Sequence, residues 1–399
     1  MVIGIDLVSL ANSAKKAGYQ VYAVDYFGDL DLQSACIGFE SIIKQKLAKS
    51  CSHLESNFKP EAFLKLAESL LQENKIDEIL LSSGLDDWYD VLCQLSDSVP
   101  ILGNSPETIR SVREKPRFFE ELERLGIRHP ETAMASEVSE AEKIAAEIGY
   151  PVVMKPSRGF GGVGIRIAGN PGELNHEFEK VPMFDDSILI QKHVAGTHCS
   201  ISFIASHSDT KILTINEQLV GQPDTFQSEP FAYCGNIVPL HSANLVSEEC
   251  EHLVRKIASH FGLVGSNGID LVVSKENKPC VIEVNPRFQG TLECVERVLG
   301  INLVNAHINA CVQGFLPMVQ KKDYPFSTRL ILYTPCPVTI PDLTVFEEVR
   351  DIPFPETVTE KEAPLCSIVT EGVSRDDSLQ KAKKLAEAIY GMLSPVSSF

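Results

Sequence analysis

Two stretches of the chain carry residue types that can do chemistry together. The first is Asn267-Gly-Ile-Asp-Leu-Val-Val-Ser-Lys-Glu-Asn-Lys-Pro-Cys-Val-Ile-Glu-Val-Asn-Pro-Arg287. Its alternation predicts a hairpin of strands over 268–274 and 280–285 around a turn at 275–278. That register sets Asp270 opposite Glu283. Ile269, Leu271, Val273, Cys280, Ile282 and Val284 form the expected core face, and Asp270, Val272, Val281, Glu283 and Asn285 the other. Like charges opposed across a ladder are destabilising, and a hard divalent cation held by carboxylate and amide oxygens removes the repulsion. The simpler alternative is a pair of solvated carboxylates. Arg287 stands just past the strand end. It can stabilise negative charge developing beside a metal, or be an ordinary surface arginine.

The second stretch is Lys155-Pro-Ser-Arg-Gly-Phe-Gly-Gly-Val-Gly164. Gly159, Gly161 and Gly164 match G-x-G-x-x-G formally. A dinucleotide site, however, needs a helix directly after the glycines. Here Val163, Ile165 and Ile167 alternate with other residues and predict a strand over 163–167. No GxxxxGK[ST] run is present. A strand over 152–155, a flexible loop and a second strand remain. Backbone N–H groups of such a loop can close over phosphates, with Lys155 as a point charge. A long hairpin turn would also use several glycines. Lys155 and Arg158 beside the glycines favour phosphate.

The surrounding elements must position these groups. Before residue 104, strands over 2–5, 21–25, 78–82 and 101–103 alternate with helices over 10–17 and 62–72, which implies a parallel, doubly wound sheet. The first turn, Gly4 to Ser9, lacks the glycines that admit a pyrophosphate, which argues against NAD. Ser105-Pro106 and Lys115-Pro116 open helices, the second stopping at Gly126. Ser139 to Glu142 reads as a capping box for a helix ending at Gly149. A strand over 188–191 follows. The tail carries strands over 329–333 and 366–370 and a helix over 378–392.

Composition narrows the function classes. The 36 Lys+Arg against 54 Asp+Glu give a net charge of −18, against a general nucleic-acid binder or an anionic-membrane partner. Hydrophobic content of 44% with 23% charged residues is that of a globular chain. No run of about 18 apolar residues could span a bilayer. The N-terminus lacks the basic and apolar regions of a signal peptide, so a cytoplasmic location is expected. The 11 Cys, without CxxC or zinc spacing, read as free thiols in a reducing compartment.

With these residues in view the chain resembles the ATP-grasp superfamily, of the carboxylate–amine ligase and biotin carboxylase-like type. The resemblance rests on Arg-Glu-Lys115 before a helix, VVMKP with Lys155, the Gly-rich loop, LIQKHVAG at 189–196 and NGIDLVV…VIEVNPR at 267–287. It implies an α/β and α+β protein with an ATP-grasp fold. A Rossmann-like pre-ATP-grasp domain would span 1–104, two lobes holding ATP 105–327, and a small C-terminal subdomain 328–399. By resemblance, Lys115 and Lys155 contact nucleotide phosphates, and Ser157, Gly161 and Gly162 fold over them. Gln191, Lys192, His193 and Val194 frame adenine, partly through backbone groups. Asp270, Glu283 and Asn285 bind Mg²⁺ or Mn²⁺. Arg287 steadies the oxyanions, and Gln289 and Gly290 contact substrate. Two positions depart from the family: Lys192 and His198 stand where glutamates are usual.

The chemistry implied is an ATP-dependent ligase. It activates a small-molecule carboxylate as an acyl phosphate and joins it to an amine, giving amide, ADP and phosphate. One alternative is a carboxylase-like enzyme that activates bicarbonate as carboxyphosphate, and another is a non-catalytic nucleotide-binding regulator. Relatives of this type include homodimers. Residues 217–241, with Phe226, Phe231, Tyr233 and Gly235, either line the acceptor pocket or form core. Asp25 and Asp29 to Asp31 either meet a cationic amine or form an acidic loop in an acidic protein.

Overall fold

The computed structural model describes residues 1–51, 59–241, 247–319 and 325–396. Residues 52–58, 242–246, 320–324 and 397–399, which fall within the three expected parts of the chain, lie outside the described residues. The N-terminal strands form a parallel sheet in the order Gly38–Ser41, Tyr22–Asp25, Val2–Gly4, Leu80–Leu81. Helices Val8–Lys16 and Glu61–Glu73 cover it with the apolar faces their periodicity predicts. Leu10 and Ala11 belong to one core cluster, and Phe63 and Leu64 to another.

Two local readings change here. The strand Gly38–Ser41 was not expected, because Gly38 and Glu40 break the apolar pattern of a half-buried edge strand. The strand expected over 101–103 shrinks to a single bridge, Ile79 to Ile101.

The helix Pro106–Arg113 starts as expected. Ser105 is its N-cap and accepts from the Thr108 N–H at 3.2 Å, with Pro106 at the first helical position. The helix Lys115–Arg124 follows. The expected capping box lies further into its helix, Val138–Ile148. Glu140 instead accepts from the Ser136 N–H at 2.8 Å, and the Ser139 hydroxyl donates to Glu137 at 2.6 Å.

A four-stranded antiparallel sheet then runs in the order Thr132–Ala135, Ile188–Lys192, Val152–Pro156, Arg166–Ala168. The strand expected from residue 163 begins only at Arg166. Gly161, Gly162 and Gly164 all take positive φ and extend the loop instead.

The largest sheet has eight strands, all antiparallel. Its order is Pro279–Asn285, Gly265–Val273, Thr197–Ala205, Thr210–Val220, Tyr233–Val238, Phe326–Tyr333, Pro364–Gly372, Val349–Arg350. The hairpin that carries Asp270 and Glu283 is therefore one end of a sheet whose other end comes from the tail. Helix Arg375–Tyr390 packs on the tail strands through Ala382, Ala386 and Ile389. Mixed α/β and α+β layers are both present, as the sequence implied. Among the described residues no helix is long and apolar enough to cross a membrane. All 11 cysteines are unpaired.

Candidate functional site

Asp270 pairs with Glu283, and Gly268 with Asn285, as the alternation predicted. The turn does not follow that register. A bulge follows the Asp270 pair, so Leu271 meets Val281 rather than Ile282, and the turn closes with Ser274 N–H donating to Lys278 O at 3.1 Å. The bulge also corrects the expected core face. Val281 joins Ile269, Leu271, Val273 and Val284 in one core cluster, Cys280 is buried as expected but outside that cluster, and Ile282 is only half-buried. Cys280 instead lies within electrostatic reach of Lys155.

Asp270 sits at the centre of a polar network. Its Oδ1 accepts from Gln218 Nε2 at 2.9 Å and its Oδ2 from Asn285 Nδ2 at 3.0 Å. Burial pushes its carboxyl above the usual range. The Asn285 hydrogen bond and the Arg287, Lys115 and Arg113 charges act the other way. Arg287 is fixed on three sides. It donates from Nε to Asp86 at 2.8 Å, from Nη1 to Phe288 O at 2.8 Å, and from Nη2 to Asn285 Oδ1 at 3.1 Å.

Both lysines converge here. Lys155 is the penultimate residue of the strand Val152–Pro156, and Lys115 opens the helix Lys115–Arg124. Desolvation lowers Lys155 to about 8, with Asp270 opposing the shift. Desolvation, then the Arg113 charge, holds Lys115 well below its ordinary value. Lys115 Nζ lies 3.4 Å from Glu283 Oε1, and that buried ammonium has no hydrogen-bond partner among the described residues. Two desolvated ammonium groups, one of them without a hydrogen-bond partner among the described residues, form a site that a phosphate anion would stabilise.

Sequence reasoning missed Arg113, Asp86, Asp87 and Gln218. Arg113 donates to Asp87 from Nε at 2.7 Å and from Nη2 at 2.9 Å, and from Nη1 to Glu283. Asp87 also accepts from the Gly159 N–H at 3.1 Å, which ties the Gly-rich loop to the N-terminal sheet. Asp86 and Asp87 follow the strand Leu80–Leu81, where ligands of parallel sheets gather. That position was the available signal.

The Gly-rich loop is docked on the strand Tyr233–Val238. Gly161 O accepts from the Tyr233 N–H at 2.9 Å, and a Cβ on Gly162 would lie 2.0 Å from Phe231 O. Only glycine permits that approach. The Ser157 hydroxyl donates to Phe184 O at 2.9 Å. Arg158 turns aside to Asp185 at 2.7 Å and over the Trp88 ring.

On the strand Ile188–Lys192, Gln191 pairs with Val153 and shares the sheet face of Lys155, whereas Lys192 pairs with Val152 on the opposite face. Gln191 Nε2 donates to Thr132 Oγ1 at 2.8 Å. Lys192 Nζ donates to Gly149 O at 2.7 Å and Tyr150 O at 3.2 Å. The His193 N–H donates to Pro151 O at 3.1 Å. Val194 follows it in the chain. His198 is half-buried, edge-on to Phe231. Burial, then His193 and Lys155, lower its pKa. Gln289 donates to Arg287 O, and Gly290 O accepts from Arg329 Nη1 at 3.0 Å.

Asp270, Glu283 and Asn285 offer two carboxylates and an amide. Among the described residues no cluster of three or more His, Cys, Asp or Glu forms an all-protein cage. A sparse oxygen set leaves coordination positions to water and phosphate, the manner in which Mg²⁺ is usually held. The residues present fit that ion.

Residues 112–291 match the family described as ATP-grasp domain. An uncharacterized protein of Methanocaldococcus jannaschii is 26% identical, over 93% of this chain and 88% of its own length. The carbamoyl phosphate synthase large chain of Pseudomonas syringae pv. tomato is 32% identical over 51% of this chain. The chain spans only 19% of that relative's length and 24% of the corresponding Thermotoga neapolitana protein. Among solved structures, the biotin carboxylase domain of Hydrogenobacter thermophilus 2-oxoglutarate carboxylase superposes with a TM-score of 0.72 at 17% identity, covering 98% of this chain and 89% of that one. N5-carboxyaminoimidazole synthetase from Staphylococcus aureus gives 0.70 at 16% identity, covering 98% and 96%. These structural likenesses are likenesses of fold.

Proposed function

The chain belongs to the ATP-grasp superfamily, and we propose accordingly that it is an ATP-dependent carboxylate–amine ligase forming amide, ADP and phosphate. The observation that carries this reading is the meeting of Lys115 and Lys155, both desolvated, with Asp270 and with Arg287 held against Asn285. The domain division 1–104, 105–327 and 328–399 goes with it. So does a cytoplasmic location. The H. thermophilus structure is described as a dimer, and a homodimer is the assembly this reading expects.

A carboxylate is a poor electrophile at neutral pH. Transfer of the γ-phosphoryl group converts it to an acyl phosphate, with ADP leaving. Lys115 and Lys155 would hold the phosphate oxygens, and backbone N–H groups of the loop around Gly161 and Gly162 would cover them. Asp270, Glu283 and Asn285 would hold Mg²⁺, which neutralises phosphate charge when bound. The amine then attacks the acyl carbon. Arg287, oriented by Asp86 and Asn285, stabilises the tetrahedral oxyanion. Collapse expels phosphate and leaves the amide. The acceptor must lose a proton during attack, and water or the departing phosphate can take it.

The test is phosphate release in MgATP across pairs of small acids and amines. ADP and phosphate formation that needs both an acid and an amine supports the reading. Release that needs bicarbonate and no other carboxylate would overturn it.

A further inference from the structure

A cavity of about 420 Å³ lies beside this cleft. It is bounded by the carboxyl ends of the N-terminal strands, the tip of the Gly-rich loop and the tail strands. Ile5, Phe27, Phe160, Ile331 and Leu365 give it apolar walls. Its volume is that of a small-molecule site. It adjoins the proposed reaction centre at two points. Gly161 lines it, and Arg329, which also lines it, donates to the backbone of Gly290.

The charges at its polar end do not balance. Arg329 is 3% exposed and is shared between Asp6 at 2.7 Å and Asp351 at 2.8 Å. Behind them stand Asp25, Asp29 and Asp31. Two of these three have structural work. Asp25 accepts from the Phe27 and Gly28 N–H groups at 3.0 and 2.6 Å. Asp31 accepts from the Asp351 and Ile352 N–H groups, both at 3.0 Å.

Asp29 differs from both. It lines the cavity and is only 8% exposed. It occupies the N-cap position of the helix Leu30–Ala35, yet its side chain makes no cap hydrogen bond. Its Oδ1 accepts from Gln45 at 3.2 Å, and its Oδ2 has no hydrogen-bond partner among the described residues. An aspartate that forgoes its cap and keeps one oxygen unbonded at the wall of a cavity is arranged for something else. Burial and the surrounding carboxylates hold its carboxyl well above the usual range, a condition that a bound cation relieves.

We propose that this cavity receives an amine substrate whose alkyl chain bears a second ammonium group, anchored by Asp29. The apolar walls suit the methylenes, and the excess of carboxylates over Arg329 suits the charge. The nucleophilic nitrogen would lie toward Gly290 and Arg287. The assignment rests on the ligase reading for what that nitrogen does, but the binding site can be judged separately.

The experiment is calorimetric titration of the whole chain with 1,4-diaminobutane, lysine and n-butylamine, alongside MgATP. At least one dibasic probe should bind at least tenfold more tightly than n-butylamine, and Asp29→Asn should lose at least tenfold for that probe. Equal affinity for n-butylamine, no binding of either dibasic probe with or without MgATP, or an unchanged Asp29→Asn protein would each overturn the proposal. The preference within the unsubstituted protein is decisive even if Asp29→Asn folds poorly. Dibasic binding without MgATP binding would uphold the cavity and sink the ligase reading. MgATP binding without dibasic preference would do the reverse.

Discussion

Arg113 and Glu283 form an ion pair in which one guanidinium serves both the hairpin and the N-terminal sheet. The same arginine grips Asp87, whose carboxylate also holds the backbone of Gly159. Three parts of the fold therefore meet in one charge network. Arg113 and Asp87 are 7% and 9% exposed at their side chains, so neither is solvated in the way a surface pair would be.

Removing the guanidinium leaves Asp87 without its ion-pair partner and Glu283 with only Lys115, at 3.4 Å. Arg113→Ala is expected to cost about 3–5 kcal/mol of stability, the scale for breaking a buried pair from one side. Urea denaturation at pH 7 measures it. A loss below about 1 kcal/mol, the scale of an exposed pair, would show that the network is solvated after all.

The hairpin was legible because alternation fixes which residues can share a face, and opposed carboxylates are conspicuous. The Asp270–Glu283 pairing follows from that pattern. The bulge beyond it does not, since one extra residue is accommodated by backbone geometry rather than by side-chain type. Arg113, Asp87 and Gln218 escaped for another reason. Their partners are distant in sequence, 170 residues away for Arg113 and Glu283 and 52 for Gln218 and Asp270. No local pattern encodes such a meeting. The acidic loop after the second strand was visible, but not which acid escapes backbone hydrogen bonding. Only backbone hydrogen bonds separate Asp29 from Asp25 and Asp31.

The paired substitution Asp270→Asn with Glu283→Gln tests the metal set. Both changes keep shape and remove charge. Mg²⁺-dependent ADP formation should fall by at least a hundredfold, with the circular-dichroism spectrum unchanged. Retained activity in a folded double variant would refute the assignment.

Lys155 gives a pH prediction whose sign follows from its depressed pKa. In the ligand-free protein it loses its proton near about 8, against an ordinary 10.5. Below that pH the group is already charged and adds no pH dependence to ATP binding. Above it, binding must restore the proton, so affinity falls as pH rises through about 8 and protons are taken up. Calorimetry at pH 8.5 in buffers of different ionisation enthalpy reads that uptake. Lys155→Met should weaken ATP binding at least tenfold and reduce the uptake. Equal affinity would count against the phosphate site.

Lys192 stands where the resemblance leads one to expect glutamate, which invites the view that the nucleotide site has decayed. The structure supplies a different role. The ammonium donates to Gly149 O and Tyr150 O, at and just past the end of the helix Val138–Ile148, where positive charge is favoured by the unsatisfied carbonyls. A glutamate there would set a carboxylate against two acceptors. Lys192→Glu is therefore expected to destabilise the protein by about 1–3 kcal/mol, the cost of unmaking a partly buried polar contact. Lys192→Met should cost about 1 kcal/mol and leave ATP affinity within twofold. Thermal denaturation and nucleotide titration on the same samples separate the two effects. If Lys192→Glu instead tightened ATP binding without loss of stability, the side chain would have to face the nucleotide and not the helix end.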